Sequence, residues 1–567
     1  MRRPSLLLGA LLGGLTALPL ITLSYLGQQL AKLPFVPFDL FDWLARFLPG
    51  SVIRVGIDAI VRLITLTGLG PISDTAKHIE QMEGIVLVLI GGVLVGLVIT
   101  WVVRHSHWSG TSVGTVAGLV VFALILAIEA NLKTISANNA SVALPWLAIL
   151  TVGWGALLGR WLTAKELAPE PSITPEFQAA RRVFLIKLAG GSIGVALASF
   201  GIGRWLESQT QASGAGQSLS QLGAPTPEPT PPTGSVPITG GTPTPEPTPP
   251  IGNVPITGGM PITPTVLAGP SEWTDAAPGT RADITPNDAF YRIDIDTLPP
   301  VIGGKSWVLA VKGLFDHPRP LMLSDLLAYP TVTQPVTLSC ISNPVGGDLI
   351  STSRWMGVRL RDVLHDLGLR PEAKELYITT ADGFYESVEM QDMLDPRTLL
   401  VYGMNGETLP IEHGFPLRIY IPNHYGMKQP KWITSIEAID HNGRGYWVDR
   451  GWSAEARPQI ISVIDTVAKD AIVNGGVPVG GIAWAGDRGI QKVEVQVDGG
   501  AWADAILQSP PLSGLTWVLW RYDWPRISGR HIFRVRATDG TGLLQTTAEH
   551  DTFPDGATGF HSVTVTI

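Results

Sequence analysis

The sequence predicts a multi-domain protein: an N-terminal α-helical membrane domain over 1–205, a Pro/Thr/Gly-rich linker over 206–270, an α+β domain over 271–455 and a C-terminal β-sandwich over 456–567. Three observations predict it. Long apolar runs are confined to the first 205 residues, a Pro-rich unit occurs twice in the middle, and short alternating runs separated by Gly and Asp turns fill the end. Of 567 residues, 45% are hydrophobic and only 16% charged, against roughly 25% charged in soluble domains, which argues against a purely soluble protein. With 18 Trp, 15 Phe and 10 Tyr, wholesale disorder is excluded. A net charge of −8 gives no support for nucleic-acid binding. The single cysteine rules out an intrachain disulfide framework, a Cys-rich zinc site, an iron–sulfur cluster held by this chain alone and covalent c-type haem.

Residues 5–26 are apolar and follow Arg2 and Arg3. A secretory signal competes with a membrane span here, but further spans follow and no good cleavage site appears. Stretches at 84–103, 112–130, 142–162 and 183–203 are each long enough to cross a hydrocarbon core of roughly 30 Å. Residues 38–68 differ: Arg54, Asp58 and Arg62 recur every fourth residue on an otherwise apolar helix, which suits an interfacial helix. Arg104, His105 and His107 fall between the second and third spans, and Arg160, Lys165, Arg181 and Arg182 between the fourth and fifth. The positive-inside rule then places the N-terminus in the cytoplasm and everything after residue 205 outside it. The expectation is a multi-pass protein of the cell membrane with an extracytoplasmic head, its first partner the lipid bilayer.

The last span begins RRVFLIKLAGG, which looks like a twin-arginine export signal; the plainer reading is a positively charged anchor. Downstream, TPEPTPPTGSVPITGG at 226–241 returns as TPEPTPPIGNVPITGG at 244–259. Such proline density favours polyproline II and a semi-rigid tether, with a Pro-rich recognition segment as the alternative. In the head, KSWVLAVKGLF reads as a strand turning Trp307, Leu309 and Val311 to one side, LMLSDLLAY and GVRLRDVLHDLG as short helices, and ELYITTADGFYESV and PLRIYIPNHYG as strand plus turn. After 456, GGIAWAG, KVEVQVDGG, HIFRVRATDG and HSVTVTI are short β runs between turns.

Cys340 ends an apolar strand-like run and meets a loop of Ser, Asn, Pro and Gly, in PVTLSCISNPVGGDLISTSRWMGVRLRDVL. A lone cysteine in a β-rich stretch is commonly a small buried hydrophobe, yet a thiolate at a strand end beside an open loop also suits a soft transition metal. This segment resembles the molybdenum-cofactor domain of the sulfite oxidase family, with its Cys-x-x-Asn loop (Cys340, Asn343), Gly346 and Gly347. NGETLPIEHGFPLRIYIPNHYGMKQPKWITSIE resembles the family's pterin-binding region, and GYWVDRGWS follows in order. GGIAWAG, VEVQVDGGAW, LTWVLWRYDW and VRATDGTG resemble its immunoglobulin-like dimerisation domain. The resemblance spans about 280–567.

The resemblance implies an α+β sulfite-oxidase-like fold, a molybdopterin-dependent oxidoreductase activity and Mo-molybdopterin as cofactor. Cys340 takes the place of the thiolate ligand of molybdenum, its catalytic residue and metal ligand. Asn343, His413, Arg418, Gly426, Lys428 and Lys431 take the places of cofactor contacts, Lys428 standing near the pterin phosphate. Residue types fit: a phosphate-bearing cofactor needs Arg or Lys and close backbone N–H groups. Without the resemblance, HGFPLR would read as a surface turn.

Departures from the family pattern matter as much. Val345 stands where sulfite oxidases carry a substrate-binding arginine two residues after the asparagine. In FYRIDID, Ile293 stands for a second arginine, with Arg292 adjacent as a substitute, and Asp294 stands for an asparagine of the cofactor site. Trp452 replaces the active-site tyrosine. A pocket with Val345, Ile293 and Trp452 forfeits charge-assisted hydrogen bonds worth about 1.5–3 kcal/mol each, so the expected substrate is not sulfite. The expected reaction is two-electron oxygen-atom transfer, as an oxidase or as a reductase of S-oxides or N-oxides. His78, His105 and His107 sit near span ends, so no b-type haem is expected and a separate electron-transfer partner or small carrier is. The resemblance also implies a homodimer through the C-terminal domain. Two other classes compete. A non-catalytic membrane-tethered scaffold would need none of Cys340, Arg418 and Lys431, and a transporter would need polar groups in the spans, where only Glu129 stands out, near an end.

Overall fold

The structure is a computed structural model. It describes residues 5–49, positions 52, 55, 56, 59, 60, 63, 64, 67 and 70, and then 72–132, 140–164, 175–214, 273–471 and 475–567; side chains at 72–74, 175–181 and 206–214 lie outside the description. Arg54, Asp58, Arg62, Lys165 and the linker repeats fall outside the described residues, and the Arg181 side chain is likewise outside the description.

Among the described residues, five helices are long and apolar enough to cross a membrane. Helix α1 runs Leu6–Ala31, capped by Ser5, whose hydroxyl accepts the Leu8 N–H at 3.2 Å. The 12-residue α2, Val36–Phe47, follows, then α3 (Ile72–His105) and α4 (Gly110–Leu132). The next span is built from α5 (Ala140–Ala148), a π-helical turn (Ile149–Gly153) and α6 (Trp154–Leu162); α7 covers Pro175–Gly214. Small residues decide which helices meet. Gly9 and Gly13 of α1 lie so close to Gly92 and Gly96 of α3 that a Cβ on Gly13 would stand 2.1 Å from the Gly92 carbonyl oxygen. Gly110, Gly114 and Gly118 of α4 meet Gly155 and Gly159 of α6 in the same way. Such backbone contact supplies packing energy of the kind that would hold helices together in lipid, where apolar burial gives them no reason to associate. Antiparallel order follows, with Arg104 and His105 at one end of α3 and α2 at the other.

The interfacial helix expected over 38–68 is interrupted. Helix α2 stops at Phe47, ahead of Pro49, and the described positions between Val52 and Thr67 are helical again. Both pieces pack under the head rather than only along an interface. Asp42 of α2 accepts the Thr297 N–H (3.0 Å) and hydroxyl (2.6 Å), Arg46 pairs with Asp296 and donates to the Asp382 carbonyl (2.6 Å), and Lys77 of α3 donates to the carbonyls of Asp294 (3.2 Å) and Asp296 (3.0 Å). Ile64 is 1% exposed, in one cluster with Tyr291, Leu338 and Cys340.

In the head, one five-stranded sheet runs in the order Leu321–Met322, Val308–Gly313, Ile433–Ile439, Glu375–Thr380, Tyr385–Glu389; the second and third strands are parallel. The expected strand at 307–311 is there, with Trp307 and Leu309 buried and the Trp307 indole donating to the Ile433 carbonyl at 2.9 Å. A second sheet joins Val332–Ser339, Ile350–Arg359 and Leu399–Met404, and the last of these also pairs with Glu407–Thr408 and Arg418–Tyr420. Helix Leu360–Asp366 turns Leu360, Val363 and Leu364 into the core under both sheets.

Beyond residue 460, two four-stranded antiparallel sheets share a core of Val477, Val479, Val493, Trp520, Phe533 and Val535. This part packs on its own neighbour in the chain: Leu515 joins the cluster around Cys340, and Arg281 holds Asp465 with its Nη2 at 2.6 Å.

Candidate active site

Cys340 is the residue after the strand Val332–Ser339, and its N–H donates to the Leu349 carbonyl at 2.9 Å. The loop from 341 to 349 is closed by Asn343, whose N–H donates to the Cys340 carbonyl (3.2 Å) and whose Oδ1 accepts the Leu349 N–H (3.0 Å). Asn343 therefore positions the cysteine from behind. The Cys340 sulfur lies 3.0 Å from the Ser342 hydroxyl, and burial pushes the thiol up.

Cys340 opens on a cavity of about 390 Å³ that Tyr291, Ile293, Asp294, His413, Arg418, Gly426, Lys431 and Trp452 also line. Lys431 pairs with Asp294, donates to the Glu412 carbonyl (3.0 Å) and lies 4.4 Å over the Trp432 ring. Burial brings Lys431 down to about 8, against the pull of Asp294. Burial alone would raise Asp294; the Lys431 and Arg292 charges outweigh it and hold the carboxyl well below the usual range. Arg418 donates from Nη1 to the His413 carbonyl (3.2 Å) and lies 4.6 Å over Trp355; burial lowers it to about 10. His413 faces the Asn287 carbonyl through Nε2 at 3.0 Å, so Nε2 donates and Nδ1 is the acceptor. Burial, then the Lys431 and Arg418 charges, lower it to about 3, which keeps the ring neutral.

Several sequence expectations need correction. Lys428 is buried but off the cavity: its Nζ lies 2.8 Å from Glu386 and 3.2 Å from the Ser387 carbonyl, so its charge is answered inside the fold. Arg292 turns its Nε to Asp294 and is absent from the cavity wall, which removes it as a substitute anion binder. Asn343 and Val345 line a separate crevice with Ile461, Ser462 and Val463, so Val345 faces the C-terminal sheets. Ile293 and Trp452 do reach the wall, Trp452 braced edge-on by Phe553 at 5.2 Å.

Sequence reasoning missed Tyr291 and the wall supplied by the N-terminal helices. The Tyr291 hydroxyl rests over Gly426, where a Cβ would stand only 2.7 Å from it. Burial, then the nearby Cys340, raise the phenol far above its ordinary value, so it keeps its proton. The signal was present in FYRIDID, where a hydroxyl stands beside the two positions being weighed. Phe41 and Leu44 of α2, with Leu48, Val52 and Ile60 beyond it and Glu80 and Glu83 of α3, also line the cavity.

The family model for the oxidoreductase molybdopterin binding domain matches residues 297–447. The sulfite oxidase of Arabidopsis thaliana is 30% identical over 281 residues, 40% of this chain and 71% of that protein. The chain belongs to the sulfite oxidase family of molybdopterin oxidoreductases. An uncharacterized oxidoreductase of Bacillus subtilis (strain 168) is 33% identical over 152 residues, 27% of this chain and 75% of that one. A putative protein-methionine-sulfoxide reductase subunit of Azospira oryzae is 32% identical over 152 residues, 27% of this chain and 56% of that one. The family implies Mo-molybdopterin, and the residues present fit it. On the wall that Cys340 shares, Arg418 Nε is buried without a hydrogen-bond partner, and Lys431 lies on the same wall, paired with Asp294. A buried guanidinium N–H left without an acceptor suits a phosphate oxygen, and Cys340 offers a soft donor on the same wall.

Proposed function

We propose that this chain is a membrane-anchored oxidoreductase with an extracytoplasmic head, which transfers an oxygen atom to or from an uncharged S-oxide or N-oxide type substrate rather than sulfite. One observation carries the reading: Cys340 shares a cavity with the buried cations Arg418, whose Nε has no hydrogen-bond partner, and Lys431, while Ile293 and Trp452 occupy the wall and Arg292 is turned away to Asp294. Cys340 would hold molybdenum, and Arg418 and Lys431 would hold the phosphate-bearing pterin. When bound, that group supplies two-electron oxygen-atom transfer; in the reducing direction an S-oxide plus two protons and two electrons gives a sulfide plus water.

The chain's own residues set the conditions. Tyr291 holds a proton on its hydroxyl beside Gly426 and can donate a hydrogen bond to a substrate oxygen without ionising. Neutral His413 adds no positive charge to the wall. Trp452 and Ile293 exclude water. The name of the Azospira oryzae relative supports the S-oxide direction. Electrons would come from a separate partner or a small carrier.

The location rests on helix order. The head docks at the end of α3 that carries Lys77, about 40 Å by helix rise from Arg104 and His105, and the positive-inside rule assigns that far end to the cytoplasm. An immunoglobulin-like plan for the last two sheets, with a homodimer through them, completes the proposal. Steady-state assays on the purified full-length holoprotein test the substrate class. Turnover of methyl sulfoxides with slow turnover of sulfite supports it, and efficient turnover at micromolar sulfite overturns it.

A further inference from the structure

The cavity has two unlike halves. Its inner half presents Cys340, Tyr291, His413, Arg418 and Lys431. Its outer half is a largely apolar wall of Phe41, Leu44, Leu48, Val52 and Ile60, brought by the membrane domain, which also contributes Glu80, paired with Lys77, and Glu83. A pterin with a phosphate needs N–H donors and cations, and these five side chains offer neither, so the outer half is shaped for something else. Nor is its placement loose. Polar contacts at Asp42, Arg46 and Lys77 fix α2 and the start of α3 to residues 294–297 and 382 of the head.

The wall also has a way through. Val52 lines the cavity and is nevertheless 49% exposed. Among the described residues near it, Phe47, Val55 and Leu63 are apolar and each half exposed or more. These residues connect the outer ends of two spans, α1 and α3, which places the threshold at the level of a bilayer surface. A water-soluble substrate would meet apolar side chains along this route, while a bilayer-dissolved one would leave lipid for a wall of the same polarity.

We propose that the outer half of the cavity binds the apolar body of a bilayer-dissolved substrate, which enters past Val52 and presents its polar oxo group to Tyr291 and Lys431. The substrate class is an uncharged amphiphile: an S-oxide or N-oxide carrying an alkyl-like chain. This rests on the oxygen-transfer reading above.

Full-length holoprotein in lipid nanodiscs is given two probes, dimethyl sulfoxide and decyl methyl sulfoxide, the second also made with a diazirine at its chain end. The expected result is saturable photolabelling of residues 41–60, competed by unlabelled decyl methyl sulfoxide. Val52→Trp, which narrows the threshold, is expected to lower kcat/KM for the decyl compound at least tenfold more than for dimethyl sulfoxide, with molybdenum content unchanged. Labelling confined to lipid-facing positions such as Leu124, or an equal effect of Val52→Trp on both probes, overturns the site. Saturable labelling of 41–60 without any sulfoxide turnover supports the site and overturns the S-oxide reading, so the two failures are distinguishable.

Discussion

Replacing Asp42 by alanine probes how the membrane domain holds the head. Thr297 is 1% exposed and donates both its N–H and its hydroxyl to the Asp42 carboxylate. Alanine leaves two buried donors without an acceptor, at about 1–3 kcal/mol each, so α2 should lift from the head with about 2–6 kcal/mol less resistance. Asparagine behaves differently, since its Oδ1 still accepts from Thr297. It also removes a buried charge: burial, only partly countered by the Thr297 hydrogen bonds, raises Asp42 to about 6. A carboxyl raised in the folded state binds more protons there than when unfolded. Its contribution is therefore most favourable below about pH 4 and declines as pH rises to about 6. Hydrogen exchange at the Thr297 amide reads the opening directly. Asp42→Ala should speed it by about 30-fold or more, at about 1.4 kcal/mol per tenfold. Asp42→Asn should leave it as slow as in the parent or slower, and should abolish its rise between pH 4 and 6. Equal loosening by both variants, or unchanged protection in Asp42→Ala, would refute the reasoning.

Two further outcomes follow from the head. His413 is lowered from 6.5 to about 3, so the unfolded chain binds a proton between those values that the folded chain refuses. Cofactor-free protein should therefore lose about 1.4 kcal/mol of stability per pH unit on acidification from about 6 towards 4, a slope that urea titrations should find missing in His413→Asn. Gly426→Ala puts a methyl group 2.7 Å from the Tyr291 hydroxyl. Displacing that phenol should cost at least tenfold in kcat, about as much as Tyr291→Phe, and the double variant should be no worse than either alone.

Much of the fold was legible because its signals are local. Alternation at Trp307, Leu309 and Val311 marks a strand within five residues, and the apolar spans fall on the long helices, although α3 starts at Ile72 rather than 84 and α7 runs Pro175–Gly214 rather than 183–203. Cys340 was found because it closes an apolar strand before a turn-rich loop. What escaped is set by distance along the chain. Asp42 and Thr297 are 255 residues apart, and no local pattern announces that one will satisfy the other. Lys428 was expected at a phosphate because the resemblance puts a basic residue there, and nothing local shows that Glu386, in a strand 42 residues earlier, will answer its charge. Val345 failed for another reason: spacing gives a loop residue its place but not its facing, and the left-handed turn at Gly346 (φ 79°) sends its neighbourhood towards the C-terminal sheets. The apolar wall from α2 was readable as amphipathic but not as part of a cavity, because its partner surface is the head.

The central claim is that Cys340 holds molybdenum in a pterin site beneath a roof from the membrane domain. Metal and pterin analysis of full-length, detergent-solubilised protein, together with a count of sulfur neighbours by X-ray absorption, tests it most directly. Predicted are about one molybdenum and one pterin per chain, and one fewer sulfur neighbour in Cys340→Ser. Protein made with an intact molybdopterin pathway that contains neither molybdenum nor pterin, or an unchanged sulfur count in Cys340→Ser, would contradict it.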